Sequence, residues 1–265
     1  MKIAVFLKET PDTEAKILPS ADGHSIATTN TKNIINPYDE YAIEEALKIK
    51  AKIGQGEVVI ISFGGASVKE RILKALAMGA DRGILVNNEG LQSCDSLTTA
   101  KILTKAVRSE NPQIILCGKQ GIDSDNMHVG PMTAELLGWP HINAVTKMEL
   151  SADQKTVTAS REIEGGQEET YEVQLPCLFG AHKSLNIPRY ASLPGIMKAK
   201  KKPLTHTTPA DLGLDVSALT SSIKTTITGY QQPPQKEPGK IFKDEPVDKM
   251  AHTVATLLRN EAKVL

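Results

Sequence analysis

The feature that most constrains this chain is a repeated switch, over its first two-thirds, between short apolar runs and longer segments of helical periodicity. Ile3 to Leu7 is an apolar run closed by charge and Pro11, which predicts a buried strand. Asn36-Pro37 then opens a helix: Asn suits the N-cap and Pro the first helical position. Ala42, Ala46, Ile49 and Ile53 give that helix its apolar stripe, and Gly54 and Gly56 end it. Val58 to Phe63 reads as a second strand. Ser67 and Glu70 have the spacing of a capping box, ahead of a helix that buries Ile72, Leu73, Leu76 and Ala77 and stops at Gly79. Ile84 to Val86 predicts a third strand, and residues 96–110 a helix with Leu97, Ala100, Leu103 and Val107 on one side. Ile114 to Cys117 predicts a fourth strand, and Gly130-Pro131 a helix with Pro at its first position that ends near Gly138. Strands spaced by helices in this way predict an α/β fold, a mostly parallel sheet with helices on both faces.

From about Val145 the pattern changes. Thr156-Val157-Thr158 and Tyr171-Glu172-Val173 flank Glu164-Gly165-Gly166, which predicts an antiparallel excursion, and Leu175 to Gly180 resembles one more core strand. Residues 201–242 are rich in Lys, Thr, Ser, Pro and Gln, too polar to build a core of their own. Met250, Val254, Leu257 and Leu258 predict a final amphipathic helix, so this extended C-terminal arm needs a surface to lie on. The organisation expected is an α/β domain over 1–184, a loop over 185–202, and an arm with its helix over 203–265.

Charge and cysteine content narrow the function. Lys+Arg and Asp+Glu are both 31 among 265 residues, so the general basic excess of a nucleic-acid binder is missing and no nucleic-acid partner is expected. Cys94, Cys117 and Cys177 are far apart with no CxxC, which argues against a metal cluster and for a reducing compartment. No run approaches the ~20 apolar residues of a membrane helix. A soluble, intracellular protein is expected.

No catalytic set converges. The six histidines fall in different segments, and neither HExxH nor GxSxG occurs. The segment Gly118 to Ala134 follows a strand and leads into a helix N-terminus, a place where free N–H groups attract phosphate. It lacks both GxGxxG and a Walker A sequence, so on spacing alone an ordinary polar loop is the better reading. Gly64-Gly65 permits close approach of a ligand and also suits any tight turn. Glu162 and Glu164 flank Ile163 and are expected on one side of a strand. Cys117 reads as core, and Trp139 as a packing residue beyond a helix end. Leu193 lies between Ser192 and Pro194, in a segment whose prolines predict irregular backbone up to Ile196. It serves either as an apolar anchor beside the basic run Lys198 to Lys202 or as core, packed inward with Ile196.

Several stretches resemble one family nearly end to end. They are Asn36-Pro37-Tyr38-Asp39-Glu40-Tyr41-Ala42-Ile43-Glu44-Glu45-Ala46, Ala75-Leu76-Ala77-Met78-Gly79-Ala80-Asp81-Arg82, Gly118-Lys119-Gln120 with Gly130-Pro131-Met132-Thr133-Ala134, Arg161 to Gly166, and above all the string from Leu185 to Lys201. The chain resembles the beta subunit of electron transfer flavoprotein. The resemblance implies a Rossmann-like nucleotide-binding fold and a heterodimer with an alpha subunit. The redox FAD would be held mainly by alpha, near the subunit boundary, and this subunit would hold a structural AMP and no catalytic residues of its own. Electrons would pass from dehydrogenases, such as acyl-CoA dehydrogenases of fatty acid beta-oxidation, to a membrane electron transfer flavoprotein–quinone oxidoreductase. Carried over by position, the AMP contacts would be Phe6, Asn36, Pro37, Tyr38, Asp39, Phe63, Asp123, Ser124, Asp125, Asn126, Met127, His128, Val129, Gly130, Pro131, Met132, Thr133 and Ala134. Leu193, Pro194, Ile196 and Met197 in the recognition loop over 185–202 would dock the dehydrogenase, the arm and helix over 203–265 would contact alpha, and Arg161 and Glu162 would approach the flavin. Phe6, Phe63 and Ile187 depart from the forms usual in the family, where an alanine, a small residue and a glutamate are common. The expected location is the bacterial cytoplasm, or the mitochondrial matrix for a eukaryotic source. Two other readings are an electron-bifurcating form with a second FAD in place of AMP, and a stand-alone adenine-nucleotide-binding protein.

Overall fold

Alternation inside each strand builds two hydrophobic layers. In β1 (Lys2–Phe6), Ile3 and Val5 enter one core cluster while Ala4 and Phe6 enter the other. A computed structural model describes residues 1–27, 31–91, 94–236 and 238–265. After β1 come the short antiparallel pair β2 (Glu9–Pro11) and β3 (Asn33–Ile35), then α1 (Pro37–Ile53), β4 (Glu57–Gly64), α2 (Val68–Met78) and β5 (Arg82–Asn87). Next are α3 (Ser96–Arg108), β6 (Ile114–Gly118), α4 (Val129–Leu137) and the antiparallel excursion β7 (His141–Leu150), β8 (Thr156–Glu162) and β9 (Glu168–Gln174). β10 (Cys177–Ala181), α5 (Leu193–Ala199), β11 (Leu204–Thr207), α6 (Val216–Ser221) and α7 (Val247–Asn260) complete the order.

Among the described residues, nine strands form one sheet in the order β11-β5-β4-β1-β6-β10-β7-β8-β9. The pairs from β11 to β7 are parallel, and β8 and β9 add on antiparallel. α1 and α2 bury Ala42, Ala46, Ile72 and Leu76 on one face, and α3 and α4 bury Ile102, Val107 and Ala134 on the other. β9 and β11 are the two edges.

By contacts the chain forms two units, Met1–Gly229 and Tyr230–Leu265. The first takes in β11, paired with β5, and α6, whose Leu219 is buried in the second core cluster. The second holds α7, which carries Met250, Val254, Leu257 and Leu258 with none of them buried. Among the described residues, no helix is long and apolar enough to cross a membrane.

Four local expectations are corrected. Ser67 already has helical dihedrals, so its hydroxyl makes no cap; it donates to a Glu9 carboxylate oxygen at 2.7 Å, and Glu70 pairs with Arg71. α4 begins at Val129 because His128 is already helical and its carbonyl accepts from the Met132 N–H. Pro131 is therefore the third helical residue, where its missing N–H still falls among the unpaired donors of a first turn. Glu164 is not on a strand with Glu162: β8 ends at Glu162, and residues 164–166 turn as a short 3-10 helix. Finally, regular helix starts at Leu193, since the Ser192 hydroxyl accepts from the Gly195 N–H at 3.1 Å and Pro194 sits where a first turn tolerates it.

Candidate functional site

In open α/β sheets, ligands lie beyond the carboxyl ends of the strands, where strand order reverses. That reversal is at β1, flanked by β4 on one side and β6 on the other. A cavity of about 500 Å³ opens there. Phe6, Phe63, Leu103 and Cys117 give it apolar walls, and Lys8 and Lys119 bring cations to it. Three helices aim their N-terminal ends at it: α1 through Asn36 and Asp39, α3 through Ser96 and Thr99, and α4 through Val129 and Gly130.

Asp39 ties this crevice together. Its carboxylate is buried and accepts from the Lys8 N–H at 2.7 Å, the Gly118 N–H at 2.8 Å and the Asn36 amide at 3.0 Å. Burial pushes its pKa up to about 7 against the pull of those donors. Asn36 occupies the N-cap position of α1, but its side chain makes no cap. It reaches across to the loop after β6, donating to the Gln120 carbonyl at 2.9 Å and accepting from the Ile122 N–H at 3.2 Å. Gly118 is required by this closeness: a Cβ there would fall 2.6 Å from the Tyr38 Cβ and 2.8 Å from its carbonyl carbon. Gly130 is held by packing, with a Cβ meeting the Cys117 sulfur at 3.0 Å. Burial, and then the Asp39 charge, drive the Cys117 thiol well above its ordinary range, so it stays protonated as a core residue.

Of the residues singled out in the sequence, Phe6, Asn36, Asp39, Phe63, Asp123, Ser124, Asn126, Met127, His128, Val129 and Gly130 line this cavity. Pro37, Tyr38, Asp125 and the turn from Pro131 to Ala134 flank it; Lys119 rides over the Tyr38 ring at 5.2 Å. The loop is exposed from Asp123 to His128, with Asp125 and Met127 in the left-handed region and Asp123 paired to Lys8 at 2.6 Å. Arg161 and Glu162 end β8 elsewhere on the carboxyl side. Arg161 bonds Glu169 at 2.8 Å, and Glu162 comes within 3.7 Å of His182, whose pKa is lowered by burial and then by the Lys119 charge.

The segment after β10 is a separate feature. Leu193 is 73% exposed, so it does not pack into the core, and Ile196 is 46% exposed. Met197 is exposed beside them, while Ala199 is buried. α5 lies close on α2 at Gly195, where a Cβ would collide with the Ala77 carbonyl. The basic run is only partly solvated: Lys202 donates to the Leu76 and Ala80 carbonyls, capping the end of α2.

With both features described, likeness to known proteins can be weighed. The family profile of the electron transfer flavoprotein domain matches residues 24–212. The chain is 42% identical over 265 residues to the electron transfer flavoprotein subunit beta of Bradyrhizobium diazoefficiens, covering 100% of both chains. It is 40% identical over 266 residues to that of Bacillus subtilis, and 40% over 267 residues to the mitochondrial subunit of Arabidopsis thaliana, again covering 100% of each. The chain belongs to the electron transfer flavoprotein family, as a beta subunit. For an electron transfer flavoprotein, the role is to carry electrons. Sequence reasoning about this beta subunit overlooked the contribution of α3. Asp95 caps that helix by accepting from the Thr98 N–H at 2.8 Å, and Asp followed by a helical stripe after the third strand was the available signal. Asp39 was expected as a nucleotide contact by resemblance, and its bracing role was missed although it falls three and seven positions before Ala42 and Ala46, on the buried face.

Proposed function

We propose that this chain is the beta subunit of a heterodimeric shuttle in which FAD, held mainly by the alpha subunit, accepts electrons from acyl-CoA and related dehydrogenases and releases them to a membrane quinone oxidoreductase. The cavity at β1, β4 and β6 holds AMP as a structural group. The observation carrying this reading is the joining of apolar walls to helix N-termini and lysines in one crevice. The base suits the walls formed by Phe6, Phe63 and Leu103. The phosphate suits the unpaired N–H groups of Val129 and Gly130, with Lys8 and Lys119 nearby. The volume of about 500 Å³ is ordinary for a small-molecule site. Leu193, Pro194, Ile196 and Met197 dock the dehydrogenase, and Arg161 and Glu162 face the flavin.

Denaturing the purified heterodimer and quantifying released nucleotides tests this. One AMP and one FAD per heterodimer are expected; two FADs would favour the bifurcating form, and the lack of any adenine nucleotide besides a single FAD would overturn the assignment. Gly118→Ala should lower AMP content and cost about 1–3 kcal/mol of stability, because its Cβ drives Tyr38 and the Asp39 clamp away from β6.

A further inference from the structure

Between Leu185 and Ser192 the chain is held in place without main-chain pairing of its own. Among the described residues, no backbone–backbone hydrogen bond involves positions 186–191. Yet Ile187 and Tyr190, two large apolar side chains, stand 90% and 98% exposed in it. A chain free to collapse would cover such groups. What holds it is a pair of side-chain clamps on consecutive residues of α1. Asn186 donates to the Tyr41 carbonyl at 3.0 Å and to Glu45 at 2.9 Å. Arg189 meets Glu44 with a two-pronged guanidinium contact at 2.7 and 2.8 Å, and its own N–H donates to the same carboxylate at 3.1 Å.

The Glu44–Arg189 pair is not an ordinary surface ion pair. The Glu44 side chain is 7% exposed and that of Arg189 is 44% exposed. Burial pushes the Glu44 carboxyl up, and the Arg189 hydrogen bonds and charge more than offset this, holding it below its ordinary value. A buried carboxylate with three directed donors from one residue fixes both the side chain and the backbone of that residue. Arg189 sits between Ile187 and Tyr190 and four positions before Leu193. Pinning it sets the direction in which all three apolar groups project.

We propose that Glu44 is a positioning residue for docking: by clamping Arg189 it pre-organises the segment 186–193, so that the dehydrogenase meets an ordered apolar surface. This rests on the reading of Leu193 as the docking anchor. It assigns to a buried carboxylate of α1 control over the affinity of the encounter. Ordering a loop at the moment of binding weakens the association, and a clamp already made in the free protein removes that cost.

The test uses the full heterodimer with bound FAD, reduced by an acyl-CoA dehydrogenase at varied dehydrogenase concentration. Glu44→Gln should raise the apparent KM for the dehydrogenase by about two- to ten-fold, with kcat, AMP content and flavin spectrum unchanged. The double variant E44Q/R189M removes the clamp without stranding a buried charge and should match it. R189K keeps the charge but not the two-pronged contact, and should fall between. Trypsin should cut after Arg189 faster in the double variant's R189-containing parent E44Q than in wild type. Leu193→Ala is run alongside. If it raises KM while E44Q and E44Q/R189M do not, the clamp is refuted and the docking surface survives. If Leu193→Ala leaves KM unchanged, the docking reading fails and the clamp falls with it. A fall in kcat at unchanged KM in both clamp variants would also overturn the proposal.

Discussion

At the scale of single residues, Asp39 carries the clearest physical signature. Its carboxyl ionises near 3.8 when unperturbed and at about 7 in the fold. Between those values the folded chain keeps a proton that the unfolded chain has released. Stability from this group therefore falls as pH rises from about 4 to about 7 and stays level above that. Asp39→Asn removes the titration but turns an amide NH2 toward one of the N–H donors from Lys8, Gly118 or Asn36. The variant should be the less stable of the two at pH 5, with the gap narrowing toward pH 8. Urea unfolding at both pH values checks this, and an identical pH slope in the two proteins would refute it.

At the scale of elements, α5 presents Leu193 at its first turn, and its exposure separates binding from folding. Leu193→Ala should shift Tm by less than about 2 °C, as surface changes do in a domain of this size. Docking should weaken by about ten-fold to a hundred-fold, since that leucine would be covered only in the complex. A drop in Tm like that of a core truncation would contradict the placement. The elements that were legible in the sequence are those whose pattern is dictated by burial. α1, with Ala42, Ala46 and Ile49, and β4, with five consecutive buried residues from Val58, declare themselves by their apolar pattern alone. The β8–β9 excursion was legible from its glycines. α5 was not, because Pro188 and Pro194 read as breakers when one of them sits in a first turn. β11 was not, because Leu204-Thr205-His206-Thr207 has no strand character without β5 beside it. In the cavity, Asn36 was visible as a capping residue and Asp39 only through the family resemblance, whereas their bonds to Gln120 and to Gly118 at the end of β6 span more than 75 positions and depend on topology.

At the scale of the whole molecule, contacts divide the chain at Gly229, and the final unit is the part proposed to meet the alpha subunit. The buried cores end with Leu219, and α7 buries none of its apolar stripe. A chain ending at Gly229 should keep its melting transition and lose co-purification with the alpha subunit. A cut at residue 204 should unfold the body as well, because it removes β11 and Leu219. Retention of alpha by the chain ending at Gly229 would contradict the role given to the final unit. The two sheet edges bear on a different property. β9 carries Glu168, Glu169 and Glu172, and β11 is only four residues long. A nine-stranded sheet is a long template for further strands, and a glutamate-rich edge at one side with a stub at the other denies it both growth points. Both edges thereby keep the sheet from recruiting a strand of a neighbouring copy, however concentrated the protein becomes.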